Sequence, residues 1–102
     1  MSRRSDILAA VDNLRRVHDS WESDDQTPLQ PTAELERAIN ATIRTCESGD
    51  VPYDCRELIR AVDLMGAEWR KYEAGQRTPD YRPLPAFWEA LRNVWRARAG
   101  SS

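Results

Sequence analysis

Three sets of side chains in this sequence could do chemistry: one histidine (His18), two cysteines (Cys46 and Cys55), and a dense run of aromatic and arginine residues towards the C-terminus. Six of the eight aromatic residues fall between positions 69 and 95: Trp69, Tyr72, Tyr81, Phe87, Trp88 and Trp95. An indole joins a large apolar body to a single N–H donor, so such a run either anchors a core or forms a protein-binding surface. Arg92 and Arg96 interleave with Trp88 and Trp95, and Trp beside Arg is the usual composition of a binding hot spot. The Tyr81-Arg82-Pro83-Leu84-Pro85 approach supplies further apolar surface. Tyr81, Leu84, Trp88, Arg92, Trp95 and Arg96 are therefore the candidate partner-binding residues.

His18 projects into the middle of an apolar helical stripe, where a lone histidine reads first as a packing residue. Set beside carboxylates in a pocket, it would instead serve a small enzyme or ligand-binding bundle. Metal chemistry in helical bundles draws on Glu-x-x-His pairs or convergent histidines and carboxylates. Neither pattern is present. Glu34 and Glu36 flank Leu35 on different faces, and Asp24-Asp25 lack the glycine and ligand spacing of a calcium loop. No catalytic residue, metal or cofactor is expected. Cys46 and Cys55 face the core on either side of one turn and could sit at the same level of a helical hairpin, within reach of a disulfide. Closing so short a loop would contribute about 2–3 kcal/mol, but a reducing cytosol favours two packed thiols.

The elements that must position these residues are helices. Apolar residues recur with a period near 3.6 and nowhere alternate with period 2, which specifies an all-α chain. Ile7, Leu8, Val11, Leu14, Val17, His18 and Trp21 form one stripe over 5–21, with Ser5 as the expected N-cap. Pro28 and Pro31 break the chain before a second helix at 32–48, whose inner face is Leu35, Ile39, Thr42 or Ile43, and Cys46; Gly49 is placed to cap it in the left-handed conformation. A third helix, 53–74, aligns Cys55, Leu58, Ile59, Val62, Met65, Trp69 and Tyr72 and ends at Gly75. Gly66 lies on its apolar side, where it would admit a neighbouring helix. The fourth, 85–99, opens on Pro85 and presents Phe87, Trp88, Leu91, Val94 and Trp95. The Gly-Asp-Val-Pro connection makes helices 2 and 3 antiparallel neighbours. An antiparallel four-helix bundle forming a single domain, 1–102, is expected; a three-helix core with a docked C-terminal helix is the alternative.

Composition narrows the function. At 102 residues the chain can bury roughly 65% of its unfolded surface. No apolar run approaches the roughly 20 residues of a membrane span, and a cytoplasmic location follows. Fourteen of the fifteen basic residues are Arg, which points to a GC-rich bacterial or phage genome. The net charge of −2 exerts no general pull on nucleic acid. Arg56, Arg60, Arg70 and Lys71 share the outer side of helix 3, but Glu57, Asp63 and Glu68 are interspersed among them. The acidic stretch Asp19, Glu22, Asp24 and Asp25 reads as a solvated face or as a contact for arginines of another chain. These features describe a small non-enzymatic adaptor or regulatory subunit that binds a protein partner, or a second copy of itself, through the last helix. The alternatives are a helical-bundle enzyme or ligand-binding protein using His18, and a nucleic-acid-associated regulator using the helix 3 arginines.

Overall fold

The computed structural model describes residues 2–23 and 30–100. Asp24, Asp25 and Pro28, singled out above, lie outside the described residues. Four helices form: α1 (Arg3–Glu22), α2 (Ala33–Glu47), α3 (Arg56–Glu73) and α4 (Pro85–Gly100), with a 3-10 turn over Tyr53–Cys55 leading into α3. The described residues contain no β-strand, and the helices pack as a compact bundle.

Capping chemistry explains where the helices begin and end. α1 starts two residues earlier than its apolar stripe indicates, because Ser2 and not Ser5 is the N-cap: its hydroxyl accepts from the Ser5 N–H at 3.1 Å. Thr32 caps α2 by accepting from the Leu35 N–H at 3.2 Å. Gly49 and Gly75 both take positive φ, +106° and +97°, where a Cβ would be strained. Around Gly75 the Gln76 N–H donates to the Lys71 carbonyl at 2.9 Å and the Gly75 N–H to that of Tyr72 at 3.0 Å. Those two bonds are the paired closure of a helix C-terminus.

The far end of α2 is sealed from a distance. The Arg3 guanidinium donates to the carbonyls of Thr45, of Cys46 at 3.2 Å, and of Asp50 at 2.8 Å. A cation at a helix C-terminus complements both its orphan carbonyls and its dipole. This contact fastens the start of α1 to the end of α2 and fixes the two helices antiparallel.

Packing follows the stripes. α1 pairs with α2 and α3 with α4 along their lengths, α2 meets α3, and α1 meets α4 over a shorter stretch. Ile7, Val11 and Leu14 of α1, Leu35 and Ile39 of α2, Leu58, Val62, Met65 and Trp69 of α3, and Phe87, Leu91 and Val94 of α4 form one buried core. α4 thus belongs to the core and is not an appendage to a three-helix unit. Gly66 is buried against α2, where an added Cβ would lie 3.4 Å from Ile43 Cγ1; the glycine lets the two backbones approach. Thr42 is fully buried, and its hydroxyl donates to the Ala38 carbonyl at 2.8 Å, with the Ala10 carbonyl at 3.3 Å. Cys46 and Cys55 are both buried, unbridged thiols beside the α2–α3 connection. Burial pushes the Cys46 thiol up to about 11, only partly offset by Arg3.

Candidate functional site: a tryptophan cleft between α1 and α4

Because α1 and α4 touch over a short stretch, an open cleft of about 430 Å³ lies between them. Helical spacing supplies its walls. Arg15, His18, Asp19 and Glu22 recur every three or four residues along α1, with Trp21 beside them; Trp88, Leu91, Arg92 and Trp95 do the same along α4. Arg82, in the segment before α4, completes the rim.

Three indoles converge on the single histidine. The His18 ring centroid lies 5.9 Å from Trp21, 6.1 Å from Trp88 and 6.0 Å from Trp95. Trp21 stacks on Trp88 at 5.5 Å with planes 10° apart, and Phe87 meets Trp88 edge-on at 5.0 Å. Offset stacking and edge contacts are the favourable arrangements of aromatic quadrupoles, worth about 0.5–1.5 kcal/mol per pair beyond their buried area. All three indoles are half-buried, so each keeps an accessible flank.

Charge is distributed around this floor. His18 Nδ1 lies 3.4 Å from Asp19 Oδ1 and 3.9 Å from Glu22 Oε2, and the His18 side chain is only 12% exposed. Arg15 sits over Trp95 at 5.5 Å and approaches Asp19 at 3.9 Å. Arg82 pairs loosely with Asp80 at 3.4 Å. Arg92 is exposed and has no ion-pair partner among the described residues. At the lower end of the α1–α4 seam, Arg98 donates to both Asp12 oxygens, at 2.9 and 3.2 Å. A bidentate guanidinium–carboxylate pair fixes orientation as well as distance, so this contact holds the two walls in register.

Of the six candidate partner-binding residues, Trp88, Arg92 and Trp95 line the cleft. Arg96 turns outward and donates to Asn93 Oδ1 at 2.8 Å. Tyr81 is 61% exposed, with a φ of +62° that is unusual for a side chain with a Cβ; it faces the start of α2 near Pro31. Leu84 is half-buried outside the cleft. Trp21 was not among the candidates and belongs there: its i+3 relation to His18 was legible, its stacking on Trp88 was not. The expected absence of convergent histidine and carboxylates also needs correction, since ligand atoms of His18, Asp19 and Glu22 lie within 4.8 Å of one another. All three are on one turn of α1, where a histidine–carboxylate hydrogen bond accounts for the approach.

The arginine ridge of α3 is paired in part, with Arg60 lacking an ion-pair partner among the described residues. Arg70 pairs with Glu47, Lys71 with Glu68 at 2.9 Å, and Arg56 stacks over Tyr53 at 4.3 Å. Among the described residues, no helix is long and apolar enough to cross a membrane. No family model, curated protein or solved structure matches this chain.

Proposed function

We propose that the chain is a small non-enzymatic interaction module, an adaptor or regulatory subunit, whose α1–α4 cleft receives a segment of a partner protein. The observation that supports this reading most directly is the convergence of Trp21, Trp88 and Trp95 on an open cleft whose rim holds Arg92, which has no ion-pair partner among the described residues. Half-buried indoles supply apolar anchoring at low entropic cost, and an exposed guanidinium at the rim selects carboxylates. The ligand is accordingly a segment with one bulky apolar side chain flanked by Asp or Glu. The unbridged thiols suit a reducing, cytoplasmic setting, and the arginine bias suits a bacterial host.

Selection from a displayed random-peptide library tests this. Peptides enriched on the wild type should carry an aromatic or long aliphatic residue next to acidic ones, and Trp88→Ala or Arg92→Glu should reduce their binding at least about tenfold, with helicity unchanged. Enriched peptides that bind both variants as tightly as the wild type would sink the proposal.

One observation favours a second reading. The cleft reaches His18 and falls within the roughly 300–1,000 Å³ of small-molecule sites. A small anionic ligand could seat there with the imidazole beneath it. Perturbation of His18 ring resonances by a fragment library, abolished in Trp95→Ala, would support this reading over the peptide; a library that moves no His18 resonance would dispose of it.

A further inference from the structure

The outer face of α3 carries a pattern that the cleft does not use. Leu64 is 60% exposed there, in the stripe Glu57, Arg60 and Ala61, Leu64, Ala67 and Glu68, Lys71. Alternating steps of three and four are the spacing of a helix–helix seam. The stripe borders a groove of about 390 Å³ between α3 and α4, where Ala61, Ala67, Ala86 and Ala90 stand among the lining residues and Glu89 and Asn93 edge its α4 wall. Small residues there leave room for a large one to enter. Glu57 and Arg60 have no ion-pair partner among the described residues, while Glu68 and Lys71 already touch.

The stripe is antisymmetric in charge about Leu64. If two α3 helices run antiparallel with Leu64 on a twofold axis, position 60 faces 68, position 57 faces 71, and position 61 faces 67. Each of these pairings is complementary: Arg60 with Glu68, Glu57 with Lys71, Ala61 with Ala67. At 1.5 Å per residue they lie about 6, 10.5 and 4.5 Å from the axis, and symmetry makes each of them twice. A parallel, in-register pair would set Arg60 against Arg60 and Glu57 against Glu57, so the same charges also reject the wrong orientation.

We propose that the α3 face is a self-association surface, and that its occupant is a second copy of this chain, docked antiparallel about Leu64. Leu64 of each copy lies over Ala61 and Ala67 of the other, and the Glu68–Lys71 contact at either end becomes part of a charge ladder running between the copies. This interface is separate from the tryptophan cleft and does not depend on its ligand.

Sedimentation velocity on the full chain over micromolar to millimolar concentration provides the test. The wild type should show a reversible monomer–dimer equilibrium. Arg60→Glu and Glu68→Arg should each weaken it about tenfold or more, because each creates two like-charge contacts in place of two attractive ones. Mixed in equal amounts, the two variants should form a heterodimer as tight as the wild-type dimer, since opposite charges again face each other at both sites. Leu64→Glu should remain monomeric, and Trp88→Ala should associate like the wild type. A wild type that stays monomeric throughout, a mixture no tighter than either variant alone, or a dimer that survives Leu64→Glu would each overturn the proposal.

Discussion

Trp69 and Trp95 occupy helical stripes of the same period, yet one lies in a closed seam and the other in an open one. Trp69, 1% exposed, is enclosed between Tyr72 at 4.8 Å and Phe87 at 5.4 Å, where α3 and α4 run together. Trp95 faces α1 across a cleft and keeps a flank in solvent. The closed seam mixes large and small residues: Trp69 meets Phe87, and Ala61, Ala67, Ala86 and Ala90 lie along the same two helices, a mixture that lets facing surfaces interdigitate. In the open one the rings of His18, Trp21, Trp88 and Trp95 face each other and no alanine or glycine stands among the residues that line the cleft. The consequence is that amphipathicity alone does not tell core from binding surface; the sizes of the residues across the seam do.

The sharpest way to break this comparison is to truncate both rings. Trp69→Ala should cost about 3–5 kcal/mol, as large core truncations do, whereas Trp95→Ala should cost less than half as much. Chemical denaturation of the two variants checks this, and equal losses would erase the distinction between the seams. Removing the bond that aligns the open seam comes next. Arg98→Ala should destabilise by about 1 kcal/mol, a modest figure because Asp12 is largely exposed, and should raise acrylamide quenching of the indoles as the cleft loosens.

The sealed end has its own pH signature. The folded Cys46 thiol holds its proton up to about 11, against an ordinary value of 9.0. Between those values the unfolded chain releases a proton that the folded chain retains, so stability contributed by the neutral buried thiol is complete below pH 9 and is lost as pH rises towards 11. The stability gap between wild type and Cys46→Ala should narrow by about 1 kcal/mol from pH 8 to pH 10, measured by urea denaturation. Smallest in stability is Arg92→Glu: an exposed side chain with no ion-pair partner among the described residues should change folding by less than about 0.5 kcal/mol, leaving any loss of peptide binding attributable to the cleft.

Much of the architecture was legible in the sequence because it is local. The inner faces of α2 and α3 followed from 3.6-residue spacing, and the ends near Gly49 and Gly75 from the conformational freedom of glycine. Gly66 declared a close approach, though not that Ile43 is the neighbour. What escaped detection is long-range or ambiguous. Arg3 reads as one more solvated cation until the end of α2 is placed beside it, and Ser2 and Ser5 are equivalent caps on paper. Tyr81 and Arg96 have the composition of a hot spot but stand outside the cleft, because composition carries no direction. Trp21 joined the site only when α1 and α4 were set side by side, a pairing that no single helix records.

The Arg3 clasp also bears on the order in which the molecule is made. Its acceptors lie 42 to 47 residues further along the chain, so a ribosome releases the donor first and the carbonyls afterwards. Once Asp50 has emerged, every group needed to lock the first hairpin is outside the tunnel, while α3 is still inside it. The first two helices can therefore dock as a provisional unit, with Leu35 and Ile39 awaiting the second hairpin, and Arg3→Ala should delay that early step more than it weakens the finished fold.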